Sequence, residues 1–267
     1  MSKDGVYVVA ELGVNWFGEM GVLRDMVCDC AIAGADAIKL QMFSESEIRD
    51  LPNADLLRQM VLSGSDVLDI CELAHKKGLD VIVTPMYPEA IEVLKLLPVD
   101  GIKIRAKDWM NTDLVRAALA LRKPTYISVP YTKGEIKRPE GKTDLELHSA
   151  LTRTFGDNIW HVMCVPLYPP QMEDLCLFVL NSPLISGFSD HVPYWTTAFQ
   201  AVAARLNWEA SKNISTRKRF YLEVHVMPYY ADLGHTEDEV PDAKVSMTLD
   251  DLALLVLAVS RGERAVG

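Results

Sequence analysis

Lys39 and Gln41 stand in Gly34-Ala-Asp-Ala-Ile-Lys-Leu-Gln-Met-Phe43, an otherwise apolar run of strand length. Strand alternation sends them to one face and Ile38 and Leu40 to the other. A lysine there is costly without a compensating anion, so the run predicts a negative partner at Lys39. Other apolar runs end in similar chemistry. Glu11 and Asn15 close one, Thr84 another, and Lys103, Arg105, Lys107 and Asp108 follow a third. Ser128 ends the next, then come His161 with Met163, Ser189-Asp190-His191, and Glu223 with His225. Brought together, Lys39, Lys103 and Arg105 would suit a phosphate plus a carboxylate. A Schiff-base lysine is the competing chemistry, because burial beside other cations lowers a lysine pKa.

Such residues need a scaffold that gathers strand ends. The strand candidates are Val6 to Glu11, Ala37 to Met42, Asp80 to Thr84, Gly101 to Arg105, Thr125 to Val129, Ile159 to Cys164, Leu184 to Ser189 and Phe220 to Val224. Segments of helical period lie between them: Val22 to Ala33, Asp66 to Lys77, Glu89 to Leu96, Thr112 to Ala120, Asp144 to Thr154, Gln171 to Asn181, Thr196 to Glu209 and Leu249 to Val259. Regular alternation predicts parallel strands with right-handed crossovers. Eight repeats fit a single α/β domain, a closed (β/α)8 TIM barrel of about 250 residues, with chemistry at the C-terminal strand ends. Ser65 or Asp66 is expected to cap the second helix and Gly78 to end it. Two loops, Lys133 to Lys142 and Pro228 to Asp242, follow strand ends and should overhang the catalytic face.

Composition narrows the function. The 267 residues are 49% hydrophobic, enough for a full core, and a formal net charge of −10 argues against nucleic-acid binding. No window reaches about 18 uninterrupted apolar residues, and the N-terminus Met1-Ser-Lys-Asp-Gly5 has no signal-peptide core, so no membrane association and a cytoplasmic location are expected. The five cysteines, Cys28, Cys30, Cys71, Cys164 and Cys176, read as reduced and buried. Cys28 and Cys30 fall roughly 200° apart on a helix and make a poor metal pair. Trp195, Trp208, Tyr229 and Tyr230 are either packed aromatics or anchors of a homodimer.

Several stretches resemble one family. Ala10-Glu-Leu-Gly-Val-Asn15, Gly34 to Gln41, Thr84-Pro85, Lys103-Ile104, Tyr168-Pro169, Gly187-Phe-Ser-Asp-His191, Glu223-Val-His225 and Pro241-Asp-Ala-Lys-Val-Ser246 occur in the order seen in the sialic acid (nonulosonate) synthases. The resemblance implies a barrel enzyme, a transferase that condenses phosphoenolpyruvate with an amino sugar or other aldehyde, releases phosphate and uses a divalent metal such as manganese or magnesium. By the same resemblance Lys39 and Lys103 hold phosphoenolpyruvate, and Gln41 lies beside a metal-bound water. Glu11 and Asp108 act on the sugar or shuttle protons, Asp190 holds sugar hydroxyls, Tyr168 lines the pocket and His225 is a metal ligand.

The departures set further expectations. This chain reads His161-Val-Met-Cys164, with Met163 where the family's metal-binding histidine is expected, and a soft thioether suits neither manganese nor magnesium. His161 shares that face but lies roughly 6.6 Å deeper. Arg105, Ala106 and Lys107 replace the small residues usual after Lys103, Pro166 replaces an asparagine and Val224 a lysine, so a rebuilt anion site is expected. The C-terminal antifreeze-like domain common in the family has no counterpart after the last barrel helix, which predicts altered sugar recognition. Three readings follow: a divergent phosphoenolpyruvate-dependent synthase, a Schiff-base lyase or aldolase, and a non-catalytic anion- or sugar-binding barrel.

Overall fold

The computed structural model describes residues 5–51, 53–132, 135–136, 158–175, 177–212, 219–235, 237 and 240–266. Strands β1 (Val6–Glu11), β2 (Ala37–Met42), β3 (Asp80–Pro85), β4 (Gly101–Ile104) and β5 (Thr125–Thr132) pair in sequence order, all parallel. A two-residue strand β6 (Glu135–Ile136) folds back antiparallel on β5. The order then continues through β7 (Ile159–Cys164), β8 (Gly187–Asp190) and β9 (Phe220–Val226). Pairing of β9 with β1, from Val6 beside Phe220 to Glu11 beside His225, closes an eight-stranded parallel barrel. A short β10 (Ser246–Met247) pairs parallel with the last two residues of β9, His225 and Val226.

Alternation divides the core in two. Ile38, Leu40, Ile102, Ile104, Ile127, Met163, Phe188, Leu222 and Val224 belong to the larger cluster between barrel and helices. Tyr7, Val9, Ala37, Ile82, Tyr126, Val162 and Tyr221 fill the lumen. Every second residue of a strand therefore faces the barrel axis. Continuing that parity places Glu11, Lys39, Gln41, Lys103, Ser128, Cys164, Ser189, Glu223 and His225 on the lumen side near the C-terminal mouth.

The helices are α1 (Met20–Ala33), the short α2 (Glu45–Ile48) and α3 (Ala54–Arg58), α4 (Gly64–Lys77), α5 (Pro88–Leu94), α6 (Thr112–Ala120), α7 (Trp195–Lys212) and α8 (Leu249–Val266). Periodicity did not reveal α2 and α3, which are too short to carry it. The cap of α4 is Ser63: its Oγ accepts the Asp66 amide at 3.2 Å while Asp66 accepts the Ser63 amide at 2.8 Å. Ser65 and Asp66 therefore lie inside the first turn, and the three-residue spacing of the capping box decides the register. Gly78 ends α4 in the left-handed region at φ 82°.

The helix expected over Gln171 to Asn181 is instead two 3-10 turns, Met172–Asp174 and Leu177–Leu180. Gln171 and Leu175 are extended and Asp174 accepts the Gln171 amide at 3.0 Å, so the first turn closes on itself and cannot propagate. The loop Lys133 to Lys142, apart from the backbone of 135–136, and the helix Asp144 to Thr154 lie outside the described residues, as does Cys176. Cys28, Cys30, Cys71 and Cys164 are free thiols. Trp195 packs against Phe199 and Trp208 under Arg205, which removes them as exposed anchors. No described helix is long and apolar enough to cross a membrane.

Candidate active site

The strand registers set Glu11 beside Lys39 and Ser189 beside Glu223. The negative partner predicted for Lys39 is supplied by the protein itself. Lys39 Nζ pairs with Glu11 Oε2 and lies 3.1 Å from Glu223 Oε1, while Lys103 Nζ lies 2.8 Å from Glu223 Oε2. Ser189 Oγ donates to Glu223 Oε1 at 2.6 Å and the Tyr221 hydroxyl donates to Oε2. Glu223 thus takes four donors, two on each oxygen, and all four charged side chains are at most 7% exposed. With all four groups ionised, the charges of the two lysines and two glutamates cancel.

Burial would raise Glu223, but Lys103 and Lys39 outweigh it and hold the carboxyl well below its ordinary range. Burial keeps Glu11 above its ordinary range against the pull of Lys39. Lys39 is raised, its desolvation exceeded by Glu11 and Glu223, whereas burial and Lys39 together lower Lys103. Glu11 Oε1 accepts the Gly13 amide at 2.6 Å and Gln41 Nε2 at 3.4 Å, which ties the first turn after β1 to the site.

Arg105 does not join this network. Its guanidinium pairs with Asp108, reaches Glu47 at 3.4 Å and contacts Met86 Sδ at 2.9 Å, so it is held on the rim beside α2. Lys107 is exposed on the same rim. Ser128 faces the lumen next to Cys164, whose thiol burial pushes up to about 11. Asp190 shares the outward parity of Phe188. Its Oδ1 accepts the Val192 amide at 3.1 Å and so shapes the turn after β8, while its Oδ2 is buried without a hydrogen-bond partner.

That turn delivers His191, which the sequence places at a strand end without indicating a role for it. The His191 and His225 ring centroids are 5.1 Å apart, and Tyr168, 62% exposed, stacks on His191 at 4.1 Å. His191 Nδ1 lies 3.0 Å from the Val165 carbonyl, which can only accept, so Nδ1 carries the hydrogen and Nε2 keeps its lone pair. His225 Nδ1 is buried without a hydrogen-bond partner. Burial, reinforced by His225 at one ring and Lys39 at the other, pushes both down to about 3. Two neutral imidazoles thus lie side by side, the form in which a histidine can ligate a metal, although among the described residues no group of three or more His, Cys, Asp or Glu side chains is arranged to hold one. Met163, expected at the ligand position, lies in the outer core with His161 on the same side, so the methionine does not bear on this donor pair.

The loop after β9 adds one more carboxylate. Asn15 Nδ2 donates to the Val226 carbonyl at 2.7 Å and to Ser246 Oγ at 2.9 Å, and its Oδ1 accepts the Asp242 amide at 2.9 Å. So held, Asp242 Oδ2 and Glu11 Oε1 each lie 3.5 Å from the point a Cβ on Gly13 would occupy, with Gln41 Nε2 at 3.6 Å. Burial and the Glu11 charge raise Asp242 to about 6. A cavity of about 640 Å³ opens beside this rim, bounded by Pro169, Val192, Thr197, Met227 and Lys244.

A parallel barrel with buried lysines, paired carboxylates and imidazoles at its C-terminal mouth defines a TIM-barrel protein with an enzyme-like site. The NeuB family model matches residues 26–206, and the chain belongs to that family. The N,N'-diacetyllegionaminic acid synthase of Legionella pneumophila is 23% identical over 69% of this chain and 57% of its own length. The pseudaminic acid synthase of Helicobacter pylori is 25% identical over 78% of this chain and 67% of its own. The chain thus spans little more than half the length of the Legionella enzyme. Among solved structures, the N-acetylneuraminic acid synthetase of Leptospira borgpetersenii in complex with citrate superposes with a TM-score of 0.79 at 22% identity, covering 100% of this chain and 86% of that one.

Proposed function

We propose that this barrel catalyses a nonulosonate-type synthase reaction, adding phosphoenolpyruvate to the aldehyde carbon of an acylamino sugar and releasing phosphate. The observation that carries the reading is the buried Lys39–Glu223–Lys103 bridge at the mouth of a NeuB-family barrel. The third carbon of phosphoenolpyruvate bonds to the aldehyde carbon, water adds at the second carbon, and the carbon–oxygen bond to phosphate breaks.

Lys39 and Lys103 offer two ammonium groups to the phosphate and carboxylate of phosphoenolpyruvate, and Glu223 spaces them as a permanent counter-ion. Glu223 is unsuited to take a proton because its carboxyl is held so low. Glu11 and Asp242, both raised, are the groups suited to protonate the developing alkoxide of the acceptor, with Gln41 orienting Glu11. His191 and His225 would hold a divalent cation, which supplies Lewis-acid polarisation of an acceptor oxygen. The test is phosphate release from phosphoenolpyruvate with a panel of acylamino aldoses. Release that requires both substrates supports the reading, and none with any aldose overturns it.

One observation favours a second reading. Burial and Lys39 lower Lys103, as a Schiff-base lysine requires. Borohydride trapping with an oxo-acid would then label Lys103, whereas the synthase predicts no adduct.

A further inference from the structure

The lumen beneath Glu223 is aromatic. Tyr221 stacks on Tyr126 with ring centroids 4.3 Å apart, and Tyr7 and Trp160 flank the pair. Branched aliphatic residues ordinarily fill this layer of a barrel. Here it is cleared for rings: a Cβ at Gly187 would stand 2.6 Å from the Tyr221 carbonyl oxygen and 2.7 Å from its Cβ, and one at Gly101 would stand 2.9 Å from Tyr126 Cε2. A fully buried phenol also needs a hydrogen-bond partner. Tyr7 gives its hydroxyl to Asp80 at 2.7 Å, at the opposite end of the barrel. Tyr221 gives its own to Glu223 Oε2, the oxygen that holds Lys103.

We infer that Tyr221 is a positioning residue. It fixes Glu223 from the lumen side, and the fixed carboxylate sets the spacing of Lys39 and Lys103 and hence their grip on a phosphorylated acid. The inference rests on the reading of that lysine pair as the phosphoenolpyruvate site. Packing alone would be met by phenylalanine, which keeps the ring and its stack but leaves Glu223 Oε2 to Lys103 alone. The carboxylate then turns toward Lys103 and draws that ammonium away from the ligand.

The experiment is a calorimetric titration of phosphoenolpyruvate into the wild type, Tyr221→Phe and Tyr126→Phe. Tyr126 shares the stack and makes no hydrogen bond to Glu223. A hydrogen bond to a charged group supports a loss of about tenfold in affinity for Tyr221→Phe, with Tyr126→Phe matching the wild type. In turnover the same variant should raise KM for phosphoenolpyruvate while kcat holds, because the grip is shared by ground and transition states. Equal affinity of Tyr221→Phe and wild type overturns the inference while leaving the site intact. An equal loss in Tyr126→Phe reduces the effect to packing and also overturns it. Absence of binding to the wild type overturns the phosphoenolpyruvate reading and the inference with it.

Discussion

His191 and His225 meet at the barrel mouth with ring planes 73° apart, one presented by the turn after β8 and the other by β9. If this pair is the cation site, His191→Ala and His225→Ala each lower manganese affinity by at least about tenfold, as measured by titration with the free ion. Met163→Leu should leave that affinity unchanged and cost less than about 1.5 kcal/mol, since the side chain packs in the outer core and the swap conserves volume. Loss of manganese binding in Met163→Leu would contradict this placement.

Replacing Glu223 with Gln removes the anion that two buried ammonium groups share. Breaking a buried ion pair from one side costs about 3–5 kcal/mol, so Glu223→Gln should be among the more destabilising single changes at the mouth. Chemical denaturation against the wild type checks it. A midpoint unchanged by the substitution would mean that the lysines find another counter-ion.

Burial raises Asp190 to about 7. The folded state therefore keeps a proton that the unfolded chain has already lost above about pH 4. Stability from this carboxyl is full below that pH and is lost as pH rises through about 7. Asp190→Asn retains an acceptor for the Val192 amide and removes the titration. Its melting temperature should gain on the wild type at about pH 8 and lose that gain at about pH 5. A constant difference across that window would show that Asp190 ionises normally in the folded protein.

Asn15 joins the turn after β1 to β9, β10 and the Asp242 loop through three hydrogen bonds, two of them buried and the third partly so. Asn15→Ala orphans those groups at a cost of about 1–3 kcal/mol and should release the loop. Amide hydrogen exchange would show lost protection at Asp242 and Met247 with β3 and β4 unchanged. Uniform loss would indicate global destabilisation instead.

Much of this architecture is legible in the sequence because β2, β3 and β9 alternate or run apolar between clear breakers. Parity alone puts Lys39 and Gln41 on the lumen side and pairs Glu223 with His225. Strand β7 was harder: Trp160-His161-Val162-Met163-Cys164 offers polarisable or aromatic groups to both faces, so only its register against β5 and β8 shows that Cys164 faces the axis and Met163 does not. His191 carried a readable signal, two residues beyond the lumen-facing Ser189. Asp242 stands in the Pro241 to Ser246 stretch that resembles the family, but its place at the site was not readable because it depends on Asn15, 227 residues away. The internal counter-ion was hidden for a similar reason: a lysine's need for an anion does not say whether ligand or protein supplies it.

The most direct test of the site is a crystal structure of the protein soaked with phosphoenolpyruvate. The predicted result is a ligand with its phosphate or carboxylate oxygens within hydrogen-bond distance of both Lys39 Nζ and Lys103 Nζ, above an unmoved Glu223. A ligand seated away from both lysines, or a site that stays empty at saturating concentration, would contradict it.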